Sequence, residues 1–363
     1  MSPQETPDFV KPLPLAHILM RAVSIITILF LFVSCGTNPN WRQFAGNGLP
    51  DQDETYKDLY FVDEQTGYIG GRHLTLLDSK SVDTINFQNT AVLYKTLNQG
   101  KDWKQIPLPF LGSVEKITSF GDTLLLKIQT DNDTTLLVQS NNNGKDWRNL
   151  LTLTKHAGIV EMEFATSTNG RLLTTDRQNE YLIIYHDNRF DTVQKFQENS
   201  PWTFLKDYVV SLKNVPSTAD YSSCFLTDIK TGSIKEIQFD KSYFIASHYK
   251  YNDNLYLAAS KDNVGYILKL NKTGYEKIEF GKYSKYEPDE VFVYGDKLMA
   301  IGNRQDEVGP IGVIRSFFIS TDGGKTWDKE DLPSPMCIEA PTIYKDKFFI
   351  SAVCPPGFFQ MRR

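Results

Sequence analysis

Short apolar runs broken by Asp, Asn and Gly recur along the chain. They read YFVDEQTGYIGG from Tyr60, SFGDTLLLKI from Ser119, FATSTNGRLLT from Phe164 and FLKDYVVSL from Phe204. Three more follow: KYNDNLYLAA from Lys250, VYGDKLMAIG from Val293 and IYKDKFFISA from Ile343. Apolar segments joined through such residues predict antiparallel hairpins, because Asp, Asn and Gly accept the backbone of tight turns. Turn centres near Gln65, Asp122, Thr168, Asp207, Asp253, Asp296 and Asp346 place one unit about every 47 residues, seven times.

That period fits a four-stranded blade. The predicted fold class is all-β, a seven-bladed β-propeller of four-stranded antiparallel blades. In blade two the strands are expected at 114–120, 123–128, 135–140 and 145–150. An insertion, Arg72 to Thr90, lengthens the first interval between the second and third strands. The last blade lacks a fourth strand of its own. NWRQF at Asn40–Phe44 resembles DWKQI at Asp102–Ile106, so Trp41–Phe44 is predicted to complete blade seven and close the ring, protecting open sheet edges.

Three turns share a second pattern: TLNQGKDW from Thr96, SNNNGKDW from Ser140 and STDGGKTW from Ser320. Each has a hydroxyl residue, then Asn or Asp (Asn98, Asn142, Asp322), Gly (Gly100, Gly144, Gly324) and Trp (Trp103, Trp147, Trp327). Gly supplies positive φ, the Asx side chain accepts backbone N–H groups, and Trp opens the next strand and covers a blade edge. The pattern resembles the Asp-box, or bacterial neuraminidase repeat, which lies on the outer rim of its propellers, so these residues are expected to be structural. YFVDEQTGYIGG followed by LYKTLNQGKDWKQI is also similar to the repeat of the photosystem II stability and assembly factor family. That resemblance, clear in blades one, two and six, implies a seven-bladed propeller used as a binding or assembly module.

The N-terminus departs from this pattern. After Met20-Arg21, an apolar run of about 12 residues from Ala22 to Val33 ends at Ser34-Cys35-Gly36, a length suited to a secretory signal and short for a membrane span. Ser34-Cys35 resembles a bacterial lipobox, with Phe32 where Leu is usual. The reading is a signal over residues 1–35 with lipidated Cys35, then a single propeller domain over 36–363, anchored in the bacterial cell envelope on its periplasmic side or at the cell surface. An uncleaved anchor is the other reading, and either Met1 or Met20 can be the start.

Composition is that of a globular chain: 363 residues, 40% hydrophobic and 23% charged. The net charge of −5 gives no general attraction for nucleic acid. Export permits disulfides. Extending the register of a hairpin turning at Lys345-Asp346 sets Cys337 opposite Cys354, as a bridge or as two reduced thiols, while Cys224 packs as a small hydrophobe.

No cofactor motif is present, and the histidines form no metal-binding spacing. Arginines recur after second strands, Arg72, Arg177 and Arg304, on the face shared with the blade-connecting loops. They form either an anion-binding patch or three solvated side chains. Trp202, Tyr283, Tyr286 and Glu287 are assigned to the same face, as anchors for a protein or carbohydrate partner or as plugs between blades. The expected function is a non-catalytic binding or assembly module. The alternative is a divergent sialidase-like or other glycoside-active enzyme using Glu287 and Asp306, since glycosidases need paired carboxylates.

Overall fold

The computed structural model describes residues 41–361, apart from 45–47, 51–53, 78–86, 155, 197–200, 216–217, 310–311, 334–337 and 354–355. Cys35, Cys337 and Cys354 lie outside the described residues. Among the described residues every regular element is a strand except a one-turn 3-10 helix at Gly281–Tyr283.

The first sheet holds β2 (Glu54–Phe61), β3 (Gly67–Leu76), β4 (Phe87–Thr96) and β5 (Lys104–Gln105), after β1 (Trp41–Phe44). The second holds β6 (Ser113–Phe120), β7 (Thr123–Gln129), β8 (Thr135–Ser140) and β9 (Arg148–Leu153), and the third holds β10 (Gly158–Thr166), β11 (Asn169–Thr175), β12 (Glu180–His186) and β13 (Arg189–Phe196). A seven-stranded sheet follows, with β14 (Pro201–Leu205), β15 (Tyr208–Asn214), β16 (Tyr221–Asp228), β17 (Ile234–Tyr251), β18 (Asn254–Lys261), β19 (Val264–Leu270) and β20 (Tyr275–Glu279). Then come β21 (Glu287–Tyr294), β22 (Lys297–Gly309), β23 (Gly312–Ser320) and β24 (Asp328–Glu330). The last sheet runs β25 (Ile338–Tyr344), β26 (Lys347–Val353), β27 (Pro356–Met361) and, beside β27, β1.

The long β17 explains the seven-stranded sheet. Its first part pairs with β16 from Ile234 to Gln238 and again at Tyr243, and its second pairs with β18 from Phe244 onward. Lys241 near the crossing packs over Tyr266 and Tyr243, and Asp240 accepts hydrogen bonds from the hydroxyls of Tyr243 (2.6 Å) and Tyr275 (2.9 Å).

Seven clusters of buried apolar side chains fill the spaces between layers, one of them within the seven-stranded sheet. Middle strands such as β7 and β18 are buried on both faces, which is why they read as continuous apolar runs. One cluster joins the last sheet to the first: Phe349 stacks on Phe61 at 4.4 Å, and Glu339 accepts the Tyr56 N–H at 2.7 Å. The predicted β1 pairing is present, with Trp41 opposite Met361 and Phe44 opposite Phe358.

Four sequence expectations are corrected. The fourth strand of the second sheet starts at Arg148, not at 145, because Gly144–Trp147 still belongs to the turn. Trp327 likewise precedes β24 rather than opening it. Much of the 72–90 insertion is strand: β3 and β4 continue in register from Arg72–Ala91 out to Leu76–Phe87. The register used to oppose Cys337 and Cys354 holds at Tyr344–Lys347, Ile343–Phe348 and Thr342–Phe349, then slips by one residue before Glu339–Ser351. The Ala340–Pro341 bulge therefore removes the geometric premise for that pairing, whatever the thiols do.

Candidate functional site at the bulged inner strands

β2, β6, β10, β14, β21 and β25 each carry a bulge, as does the second part of β17. The extra residue is Lys57 in β2, Glu115 in β6, Val160 in β10, Trp202 in β14, Ala246 in β17 and Asp289 in β21, with Ala340–Pro341 in β25. These strands also touch from sheet to sheet, as β25 with β2, β2 with β6, β10 with β14 and β17 with β21. Apart from β17, each of them lies at an edge of its sheet. A bulge turns side chains away from the regular pleat, and bulges concentrate where strands serve a site.

Each bulge lies near the start of its strand, or in β17 near the start of the part that pairs with β18, at the end of the sheet away from the β2–β3 and β4–β5 turns. We call this end the mouth. N–H groups of these strands are met by the neighbouring strand's carboxylates: Asp58 accepts from Ile117 at 2.7 Å, and Glu339 accepts from Tyr56.

The residues after the bulges carry charge from strand to strand. Lys116 of β6 lies 3.3 Å from Asp58 of β2 and is half exposed. Asp58 raises the Lys116 pKa, burial opposes the rise, and Glu161 of β10 adds to it. Glu161 is 3.5 Å from both His248 and Lys250 of β17. Burial works against its ionisation, yet His248, Lys250 and Lys116 overcome that and hold the carboxyl down to about 2. Glu290 of β21 moves the other way: burial and Asp289 raise its pKa, against Arg315, Ser247 and Lys116. Burial also raises Glu339, opposed by the Tyr56 N–H, Lys57 and Arg72. Lys116 thus acts on acids of three other strands, Asp58, Glu161 and Glu290.

The sequence-assigned residues separate on this framework. Trp202 is a bulge residue; its ring meets His248 edge-on at 4.4 Å and packs on the adjoining apolar cluster. Glu287 begins β21 and accepts from Gln305 at 3.1 Å. Tyr286 is buried, not exposed: its ring packs on Phe318 at 5.0 Å, and its hydroxyl donates to Glu307 at 2.8 Å and accepts from Lys329 at 2.6 Å. Tyr283 is half-buried against the same Phe318, at 5.5 Å. Both behave as plugs between sheets. Arg304 is neutralised by a two-pronged pair with Asp306, which lowers the Asp306 pKa and leaves it poorly suited to act as an acid. Arg72 lies on β3 opposite Thr55, and Arg177 stands in the turn after β11. Among the described residues no ion pair or hydrogen bond joins the three arginines. Composition-based reasoning missed Lys116, Glu161 and His248; an unusual charge inside an otherwise apolar first strand was their only signal.

The three repeated turns lie at the opposite end. In each, the hydroxyl accepts the Gly N–H: Thr96 from Gly100 at 2.9 Å, Ser140 from Gly144 at 2.8 Å and Ser320 from Gly324 at 2.8 Å. The Asx oxygen accepts an N–H four residues on, at 2.9 Å in all three. Gln99, Asn143 and Gly323 share one positive φ, and the next glycine another. Two of the turns also grip the end of the preceding sheet. Trp147 donates to the Pro107 carbonyl at 3.2 Å and Trp327 to that of Glu279 at 3.0 Å, while Trp103 donates within its own turn to Gly100 at 3.0 Å. Their role is clamping.

Among the described residues, no group of three or more His, Cys, Asp or Glu side chains could hold a metal ion, and no helix is long and apolar enough to cross a membrane. Cys224 is buried, with its thiol pushed up to about 12 by burial.

This architecture is a β-propeller fold, as solved structures show. The structure of YCF48 bound to a D1 peptide matches with a TM-score of 0.62 at 12% identity, over 89% of this chain and 96% of that one. Virginiamycin B lyase from Staphylococcus aureus matches at 0.59 and 10% identity, over 89% and 98%. The β-propeller domain of the Trilobed protease from Pyrococcus furiosus matches at 0.54 and 10%, over 86% and 96%. At these identities the likeness defines the fold alone. No family model matches the chain, and no curated protein matches it.

Proposed function

We propose that this chain is a closed, seven-bladed propeller of the Asp-box type. In this reading it is lipid-anchored through Cys35 in a bacterial cell envelope and binds a segment of a protein partner at the mouth without catalysis. The observation that carries this reading is the sevenfold bulge, which brings Lys57, Lys116, Glu161, Trp202 and Asp289 to one end of their strands. Two blades sharing β17 account for the seven-stranded sheet, and β1 beside β27 supplies the closing strand. YCF48, which shares the fold, is seen with a bound peptide, and mixed charge around a half-buried Trp suits peptide recognition.

Asp306, one of the two carboxylates of the glycosidase reading, is paired with Arg304.

Site-specific photocrosslinking in native envelopes tests the proposal. A crosslinker at Lys57, in the mouth, is expected to trap one discrete protein, whereas one at Lys101, in a clamp turn, is not. Capture from Lys101 alone, or from neither position, defeats the reading. Retention of a Cys35→Ala variant in membranes defeats the anchor.

A further inference from the structure

Outside the bulged strands, a cleft of about 510 Å³ opens between the second and third sheets. Its walls are Asn132, Asp133 and Thr134 from the β7–β8 loop, Thr154 and His156 from the β9–β10 connection, and Arg177 from the β11–β12 turn. We propose that this cleft binds a carboxylated sugar, a uronic acid or a comparable acidic monosaccharide unit, with Arg177 as its carboxylate receptor.

Arg177 is a cation kept free by the commitments of its neighbours. Asp176 is turned into its own loop, where one carboxylate oxygen accepts the Gln178 N–H at 2.8 Å and the Asn179 N–H at 2.7 Å. Its other oxygen accepts the Tyr181 hydroxyl at 2.9 Å. Asp133 lies 3.4 Å from His156 and forms no ion pair with Arg177. Among the described residues Arg177 makes no hydrogen bond or ion pair, in contrast to Arg304, which Asp306 occupies. An unpaired guanidinium at a cleft offers the planar fork that matches a carboxylate.

The remaining walls select the rest of the ligand. Asn132, Thr134 and Thr154 offer hydroxyl and amide groups, and Asp133 offers an acceptor for sugar hydroxyls. The volume accommodates a sugar ring and far exceeds what a lone phosphate fills. No apolar side chain lines the cleft among the described residues, which disfavours an apolar peptide side chain.

The walls are also held in place. The β7–β8 loop is closed by the Thr130 N–H on the Thr134 carbonyl at 2.8 Å, and Asp131 ties it to the first sheet by accepting from the Asn89 N–H at 3.1 Å and from its amide at 2.5 Å. Binding therefore pays little for ordering the β7–β8 loop.

Titration of the purified full chain with glucuronate, glucose and inorganic phosphate, followed by calorimetry or NMR, tests the assignment. Saturable glucuronate binding is expected, with glucose at least about tenfold weaker, roughly 1.4 kcal/mol. Arg177→Ala should weaken glucuronate by at least about tenfold, while Arg304→Ala leaves it unchanged. The melting temperature should not move in Arg177→Ala, since no bond within the protein is lost. The proposal is overturned by absent saturation, by binding indifferent to Arg177, or by phosphate binding as tightly as glucuronate. The result is independent of the mouth crosslinking, so each reading fails separately.

Discussion

Glu161 of β10 lies 3.5 Å from His248 of β17, reaching past the whole β14–β16 hairpin region to a strand 87 positions along the chain. With Lys250 also at 3.5 Å, this carboxylate joins the third sheet to the second half of the seven-stranded one. Ionised Glu161 is favoured in the folded chain, with its pKa held to about 2. Its contribution is therefore complete above about pH 4.5 and is lost as pH falls toward 2. Glu161→Gln should destabilise the fold by roughly 1–3 kcal/mol at neutral pH and flatten the acid limb of the stability curve between those values. Urea melts at pH 3, 5 and 7 measure both effects; an acid limb unchanged in the variant rules the linkage out.

Glu290 carries the opposite sign. Its pKa is raised by burial and Asp289, so its neutral form suits the folded chain, and stability declines as pH rises through that raised value. Glu290→Gln keeps the shape and removes the charge. The variant should melt higher than the parent at pH 7 to 8 and show no gain at pH 4. A lower midpoint at both pH values would mean that the charge is needed for packing.

The clamp turns contain their own control. Asn98 and Asn142 fill the position of Asp322 with the same acceptor geometry, so the carboxylate charge is dispensable there. Asp322→Asn should be near neutral, whereas Asp322→Ala leaves the Thr326 N–H without its acceptor and should cost about 1 kcal/mol. Gly324 is stricter, because a Cβ there meets the Ile278 Cγ2 at 2.3 Å on a backbone with φ of 91°. Gly324→Ala should cost about 1–3 kcal/mol, from strain plus overpacking. Gly121→Ala, also at positive φ but in open space, isolates the backbone part. Equal losses at the two glycines would show that the clamp against Ile278 contributes nothing.

The fold was legible because its information is local and repeated. Asp122, Asp207, Asp296 and their counterparts mark turns, and Gly100, Gly144 and Gly324 mark clamps, so spacing alone located the hairpins. The continuity of β17 was not legible, since a strand that crosses from one blade to the next reads like two strands with a short link. Bulges were also hidden. An extra Lys57 or Trp202 leaves no compositional trace, yet it decides which side chains reach the mouth. The choice between anchor and plug for Tyr286 was not legible, because an aromatic in a polar YSKYE stretch looks solvated until Phe318 is placed under it. Sites built by long-range pairing, such as Glu161 with His248, lie beyond any reading of local pattern.

Trp41 provides the last and most direct test of how the sheet of β25 to β27 is completed. Its ring is buried, meeting Phe317 edge-on at 5.6 Å and Phe348 at 6.1 Å, and its N–H donates to the Asp331 carbonyl at 3.0 Å. A residue near the start of the described chain thus packs on strands β23 and β26 and bonds to the loop after β24. Trp41→Ala should cost about 3–5 kcal/mol, and deletion of residues 40–44 should cost more, because β27 then becomes an unpaired edge. Tyr294→Ala, at a partly exposed strand end, is the comparison and should lose far less. Denaturant melts of the three variants decide the matter: a midpoint for Trp41→Ala equal to that of Tyr294→Ala would show that β1 rests on the sheet without holding it.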